Sequence, residues 1–328
     1  MTINRRDFLR TAGLSAAGLA ALSAGRALAA AGKTDARAWY LFTSFRGNGE
    51  DGLHLAYSRD GYTWTDLGKG KAFLKPKVGP QPLMRDPCLR RGPDGTFHLV
   101  WTTSWNKPLL IGHASSRDLI HWSGQQDIPV MEGEPDARNA WAPELFYDEP
   151  KQRWLIFWST TIPGRFPETD QTGDGGLNHR MYYKTTRDWQ TFSDSRLFYD
   201  GGFNVIDGTL LKAGDVYYLI VKDETRHPVR KNLRLCTGPT PEGPWSKASE
   251  PFTISWVEGP SAIRIGQEYL VYFDHYSRPH YYGAVGSRDL KTWQDVSKRM
   301  TFPEGHRHGT VIEVDRAALQ RLLEYVPD

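Results

Sequence analysis

The chain has almost no cysteine: Cys88 and Cys236 are the only two in 328 residues. They fall in different repeat units, which argues against a disulfide, and both are expected as small apolar fillers of the interior. Blocks of one charge sign are also missing. Lysine and arginine (41) nearly balance aspartate and glutamate (38) and are mixed with them along the chain. That pattern gives no reason to expect a nucleic-acid or membrane-surface partner. A long uncharged stretch occurs only near the start, from Thr11 to Gly25, after "NRRDFLR" and before "ALA" at Ala27 to Ala29. This reads as a twin-arginine export signal over residues 1–29, removed on passage to the periplasm or outside of the cell and leaving no membrane attachment.

Helical periodicity is nearly absent from the rest. What is abundant is aromatic: 12 Trp and 15 Tyr, set in short Val/Ile/Leu/Tyr/Phe runs bounded by Gly, Pro, Asp and Asn, the pattern of an all-β fold. The runs repeat. "SRDGYTW", "SRDLIHW", "TRDWQTF" and "SRDLKTW" end at Trp64, Trp122, Phe192 and Trp293, and a degenerate copy, "TPEGPW", ends at Trp245. An aromatic-rich strand and a further strand precede each copy. Four units also open with a short strand: "RDPCLRR", "APELFYD", "IDGTLLK" and "EGPSAIR". The first unit lacks one, and "HGTVIEV" near the C-terminus stands alone to supply it. Five four-stranded units closed in this way predict a single five-bladed β-propeller over residues 36–328, with a short turn or helix after Asp315.

In a propeller the first strand of each blade lines the axis. Asp86, Glu144, Asp207 and Glu258 open four of these strands and His308 the fifth, so four carboxylates and an imidazole are expected to converge. The same reasoning separates the two E-G-P tripeptides: Glu258 falls on the axis, whereas Glu242 falls on an outer turn and reads as a solvated residue. Acid–base catalysis at one bond needs one group to give a proton and another to take one. Inner strands facing each other across a channel can supply both. The tryptophans of the repeated turns are assigned to packing between blades.

"RDP" at Arg85–Pro87, "WAPE" at Trp141–Glu144, "IDG" at Ile206–Gly208, "VEGP" at Val257–Pro260 and "RHGT" at Arg307–Thr310 together resemble the five-bladed propellers of glycoside hydrolase family 43, in order and over the whole mature chain. The resemblance implies Asp86 as general base, Asp207 as the residue that orients and tunes, and Glu258 as general acid. Glu258 is expected to be raised by Asp207, and Asp86 to stay ionised in a more solvated position. The chain departs from the family in having Gly208 where proline is usual and Glu144 where aspartate is frequent. Relatives place a histidine at the axis, so His308 is a candidate for a structural calcium site, with a metal-free hydrogen-bonded histidine as the alternative; no cofactor is required. His306 is expected in the preceding loop.

Substrate contacts are expected from Arg85, Trp105, Trp141, Glu144, Phe203, His275 and Arg278, with Phe166 and Tyr276 as further stacking candidates. The insertion from Ile162 to His179 is a subsite wall or a mobile loop. The resulting expectation is an exported, inverting exo-glycosidase that takes terminal α-L-arabinofuranosyl or β-xylosyl units from an oligo- or polysaccharide of plant type. A galactoside-active hydrolase and a non-catalytic carbohydrate-binding propeller are the alternatives. The related invertase-type clan is excluded by the lack of an Asn-Asp-Pro-Asn strand.

Overall fold

A computed structural model describes residues 38–327. The export signal expected at residues 1–29 lies outside the described residues. Those described form five sheets, each an antiparallel meander, arranged as the blades of a propeller. Blade 1 takes its inner strand from the far end of the chain: Val311–Val314 pairs with Trp39–Ser44, in register from Trp39 opposite Val314 to Phe42 opposite Val311, and His54–Ser58 and Trp64–Asp66 follow outward. The inner strands of blades 2 to 5 are Arg85–Arg91, Trp141–Asp148, Val205–Ala213 and Val257–Ile265. The helix Arg316–Glu324 closes the chain, its N-terminus capped by Asp315, which accepts from the Ala318 N–H at 2.7 Å.

One blade departs from the expected four strands. Blade 4 has three: Val205–Ala213, Val216–Asp223 and Asn232–Gly238. Its outermost segment keeps isolated bonds, Ser246 N–H to Thr237, Ser249 N–H to Leu235 and Phe252 N–H to Leu233, because "TPEGPW" puts prolines and a left-handed Gly243 where the other blades carry a regular turn. Glu242 is not a free solvated residue there. It reaches across to blade 3, where Lys151 and Arg153 pair with it and the Tyr183 hydroxyl donates to it at 3.0 Å.

The regular turns explain the SRD repeat. In blade 1 the Ser58 hydroxyl accepts from Gly61 N–H and the Asp60 carboxylate from Tyr62 and Thr63; Ser116 with Asp118 and Ser287 with Asp289 do the same. The residue after the aspartate is left-handed each time, as at Leu119 and Leu290. The aromatic that ends each repeat packs between blades: Trp64 stacks on Phe302, and Trp293 on Phe252. Cys88 and Cys236 are free and buried.

Candidate active site at the propeller mouth

Each inner strand of blades 2 to 5 carries a β-bulge at its start. Pairing runs from Arg85 opposite Thr102 to Cys88 opposite Val100, so one residue is extra, and the same slip occurs between Trp141 and Glu144, Ile206 and Gly208, and Glu258 and Ser261. The residue at the bulge is left-handed in every case: Asp86 (φ 53°), Ala142 (φ 49°), Asp207 (φ 49°) and Gly259 (φ 59°). A left-handed bulge swings its side chain out of the pleat, and such strain persists only where the surroundings hold it. Here it aims Asp86 and Asp207 at the axis. Gly259 is held to glycine on two counts: besides its φ, a Cβ would fall 2.5 Å from Cγ of His308. Gly309 lets the closing segment approach blade 1, since its Cβ would meet the Thr43 carbonyl at 1.6 Å.

The bulges correct the expected equivalence of the acids. Asp86 and Asp207 occupy the bulge, Glu258 sits one residue before it, and Glu144 two residues past Ala142. Glu144 is therefore carried below the mouth, where Thr310 donates to it at 3.3 Å and Arg90 pairs with it at 3.3 Å. It is buried and does not line the cleft, so it is not placed to touch a sugar. Burial pushes its carboxyl up, opposed by Arg90 and His308.

The cleft at the mouth has a volume of about 410 Å³ and takes Asp86, Asp207, Glu258 and His308 into one wall-to-wall space. Trp105 and Trp141 line it edge to face, 5.5 Å between rings, and Arg85 lies over Trp105 at 4.2 Å. Tyr276, Asn48, Glu224 and Arg307 complete the side walls. Phe203, His275 and Arg278 are not among the lining residues. Phe203 packs on Tyr199, the His275 ring stacks on Tyr281 with its Nδ1 2.9 Å from the Pro279 carbonyl, and Arg278 belongs to the loop that follows. A strand of period two can place a residue at the mouth end and still turn its side chain into the blade. Phe166 is likewise engaged, under the guanidinium of Arg180 at 4.2 Å.

The insertion is anchored. Arg180, fully buried, binds Asp200 at 2.5 Å and Glu168 at 3.3 Å and donates to Thr169, so the loop is pinned at its middle. Its far end meets blade 4, where Thr172 accepts from Arg226 and His227 N–H and Asp174 pairs with Lys231 at 2.6 Å.

His308 organises the floor. Its Nδ1 lies 3.3 Å from Asp86 Oδ1 and 3.9 Å from Asp207 Oδ2. Burial opposes its charge, but Asp207 and Asp86 outweigh burial and push it up to about 9, so it is an imidazolium at neutral pH. Asp86 is buried as well, with only 11% of its side chain exposed, so solvation is not what keeps it ionised. Burial would raise it; His308, Arg85 and the Thr102 hydroxyl, 2.8 Å from Oδ2, together hold it well below the usual carboxylate range. Asp207 is the opposite case. Burial, with Glu258 and Asp86 adding repulsion, pushes it up to about 6 despite His308 and Lys222, and it accepts the Gly259 N–H at 3.0 Å.

Two cations that sequence reasoning did not single out as site residues hold Glu258. Lys222 Nζ lies 3.2 Å from Oε2, and Arg307 donates to Oε1 at 3.2 Å. Lys222 stood in "VYYLIVKD", where a lysine near the mouth end of a strand buried on both faces was the available signal. His306, expected in a loop, is there but buried, on Asp66 at 2.6 Å and beside Ser44.

The donor set does not fit the calcium ion that the family resemblance raised. His308 carries a proton between two aspartates, and deeper in the axis Arg90 already occupies Glu144, Thr209 and the Leu145 and Val311 carbonyls. Among the described residues no group of three or more His, Cys, Asp or Glu side chains is arranged to hold a metal. A larger groove of about 840 Å³ between Tyr281 and His306 lies on the flank of blade 5 and lacks the three acids.

Paired carboxylates of opposite tuning in one sugar-sized, aromatic-walled cleft at a propeller mouth define a site of the glycoside-hydrolase type. Residues 35–320 match the model of a family 43-related glycosyl hydrolase group, described as a probable glycosyl hydrolase domain, and the chain belongs to that family. A curated α-L-arabinofuranosidase of Bifidobacterium longum subsp. longum is 25% identical over 249 residues, 64% of this chain and 23% of that protein. The chain thus spans about a quarter of that relative's length. Among solved structures it resembles an α-L-arabinofuranosidase from Lactobacillus brevis (TM-score 0.50, 16% identity, 65% of this chain and 72% of the other). It also resembles an exo-β-1,3-galactanase from Phanerochaete chrysosporium (TM-score 0.51, 12% identity, 68% and 53%). These two likenesses concern the fold.

Proposed function

We propose that the protein is an exported, inverting exo-glycosidase that releases terminal α-L-arabinofuranosyl or β-xylosyl units from plant-type polysaccharide. The observation that carries the reading is the shared cleft in which Asp86 and Glu258 sit on different inner strands with Asp207 and His308 between them. Asp86, ionised by its imidazolium partner, takes a proton from water. Glu258 gives one to the leaving oxygen. Asp207, near half-protonated at about pH 6, accepts from Gly259 N–H and orients the segment that carries Glu258. Trp105 and Trp141 offer an aromatic corner on which a sugar face can rest. The pentose preference is supported by the arabinofuranosidase relative, and export by the twin-arginine pattern before residue 30.

The test is a panel of aryl α-L-arabinofuranosides, β-xylosides and β-galactosides, with arabinan, xylan and arabinogalactan beside them. Release of arabinose or xylose by the unaltered protein, abolished in Asp86→Asn and Glu258→Gln, supports the reading. Turnover of galactosides alone would replace the sugar, and sugar binding with no turnover on any member would make the propeller a binding module.

A further inference from the structure

Glu258 does not stand free in the cleft. Lys222, on the second strand of blade 4, is only 1% exposed at its side chain, yet its ammonium lies 3.2 Å from Glu258 Oε2 and 2.7 Å from Glu224 Oε2. It also sits over the Tyr276 ring at 4.6 Å. Arg307, from the closing segment, holds the other oxygen at 3.2 Å and is itself fixed by the fully buried Asp274 at 3.3 Å. Each cation is thus held by one buried acid and turned toward Glu258. On the blade 4 side the pairing continues outward: Glu224 also binds Lys231, and Lys231 binds Asp174 of the insertion at 2.6 Å. Charges alternate from the rim to the cleft.

We propose that Lys222 is a positioning residue for the general acid: with Arg307 it clamps both oxygens of Glu258, and the clamp sets the alkaline limit of activity. The inference rests on the acid role given to Glu258 above. A buried ammonium is a strong determinant because it is little screened, and an opposite charge within about 4–6 Å of a carboxyl typically shifts its titration by roughly 1–3 pH units. The other charged or titratable groups that face Glu258 are Asp207 and Asp86 across the floor, His308 beside them, Glu224 and Tyr276 behind Lys222, and Asp274, which also carries His280 at 2.7 Å. Of these, Asp207, Glu224 and Tyr276 also feel the Lys222 ammonium. The clamp also gives the insertion a reason to be pinned: through Asp174 and Lys231 it helps hold Glu224, and so the ammonium that Glu258 meets.

The experiment is the pH profile of kcat/KM on whichever aryl glycoside the unaltered protein turns over, with Lys222→Met, Lys222→Arg and the double variant Lys222→Met/Glu224→Gln, which removes cation and partner together. The alkaline limb reports loss of the acid's proton. It is expected to move up by about one pH unit in Lys222→Met and in the double variant, and to stay in place in Lys222→Arg. An unmoved limb with activity lowered equally at every pH would show that Lys222 only packs, and would overturn the proposal. Should neither Met variant fold, Arg307→Gln tests the clamp from the other oxygen with the same two outcomes. Glu258→Gln keeps the two readings apart. If it remains fully active, the acid assignment fails; if it is inactive while the limb stays fixed, the assignment stands and the clamp fails.

Discussion

Raising the pH should take from the folded protein a stabilising contribution that depends on His308. Its ring is buried, 3.3 Å from Asp86 and 3.9 Å from Asp207, and is pushed up to about 9 from an ordinary 6.5. The unfolded chain releases this proton near the ordinary value, so between the two the native state binds the more protons and stability falls as pH rises. The contribution is fully present below about pH 6.5 and gone above about pH 9. A gap of about 2.5 pH units, at about 1.4 kcal/mol per unit, is worth about 3 kcal/mol. Denaturant unfolding at intervals between those limits, on the unaltered protein and on His308→Gln, reads the effect of the cluster that His308 forms with Asp86 and Asp207, the groups elsewhere being common to both. The unaltered protein should lose about 3 kcal/mol more than the variant across that window. Parallel curves would refute the buried imidazolium and, with it, the account of why Asp86 is ionised.

Asp86→Asn and Glu258→Gln should each lower kcat by about 10²–10⁴-fold, read by initial rates on aryl glycosides with circular dichroism showing that both variants are folded. Gly259→Ala forces a left-handed alanine whose Cβ lies 2.5 Å from the His308 ring; a loss of about 2–4 kcal/mol in thermal or denaturant unfolding is expected. Arg180→Met removes the buried cation that ties the more exposed Asp200 and Glu168 together, and should cost about 1–3 kcal/mol and expose residues 162–178 to limited proteolysis. Prolonged chelation should leave turnover and melting temperature unchanged, since Arg90 and His308 already supply the positive charge of the axis.

The ring was legible because its local rules are periodic. Each SRD turn needs a serine, an aspartate and a residue that tolerates positive φ, and each blade needs an aromatic between itself and the next, so the repeat declares the architecture and the solitary "HGTVIEV" declares the closure. The three acids were legible from their place at strand starts. The one-residue offsets were not, because a bulge is a property of pairing and not of composition: Ala142 and Gly259 take the positions that Glu144 and Glu258 were expected to share with Asp86. The reason for Asp86's ionisation was also hidden. Solvation was the expectation; a charged histidine more than two hundred positions later in the chain holds it instead, a contact created only when the ring closes. His275, Arg278 and Phe203 do not line the cleft, since nearness to the mouth does not fix the direction of a side chain.

The central claim is that Asp86 activates water on one face of a sugar while Glu258 protonates the leaving oxygen on the other. Proton NMR of the first sugar released, recorded before mutarotation equilibrates it, tests this most directly. The account predicts a product whose anomeric configuration is opposite to that of the substrate. A product of unchanged configuration would mean that one of these carboxylates attacks carbon and that water does not, and the base role of Asp86 would be contradicted.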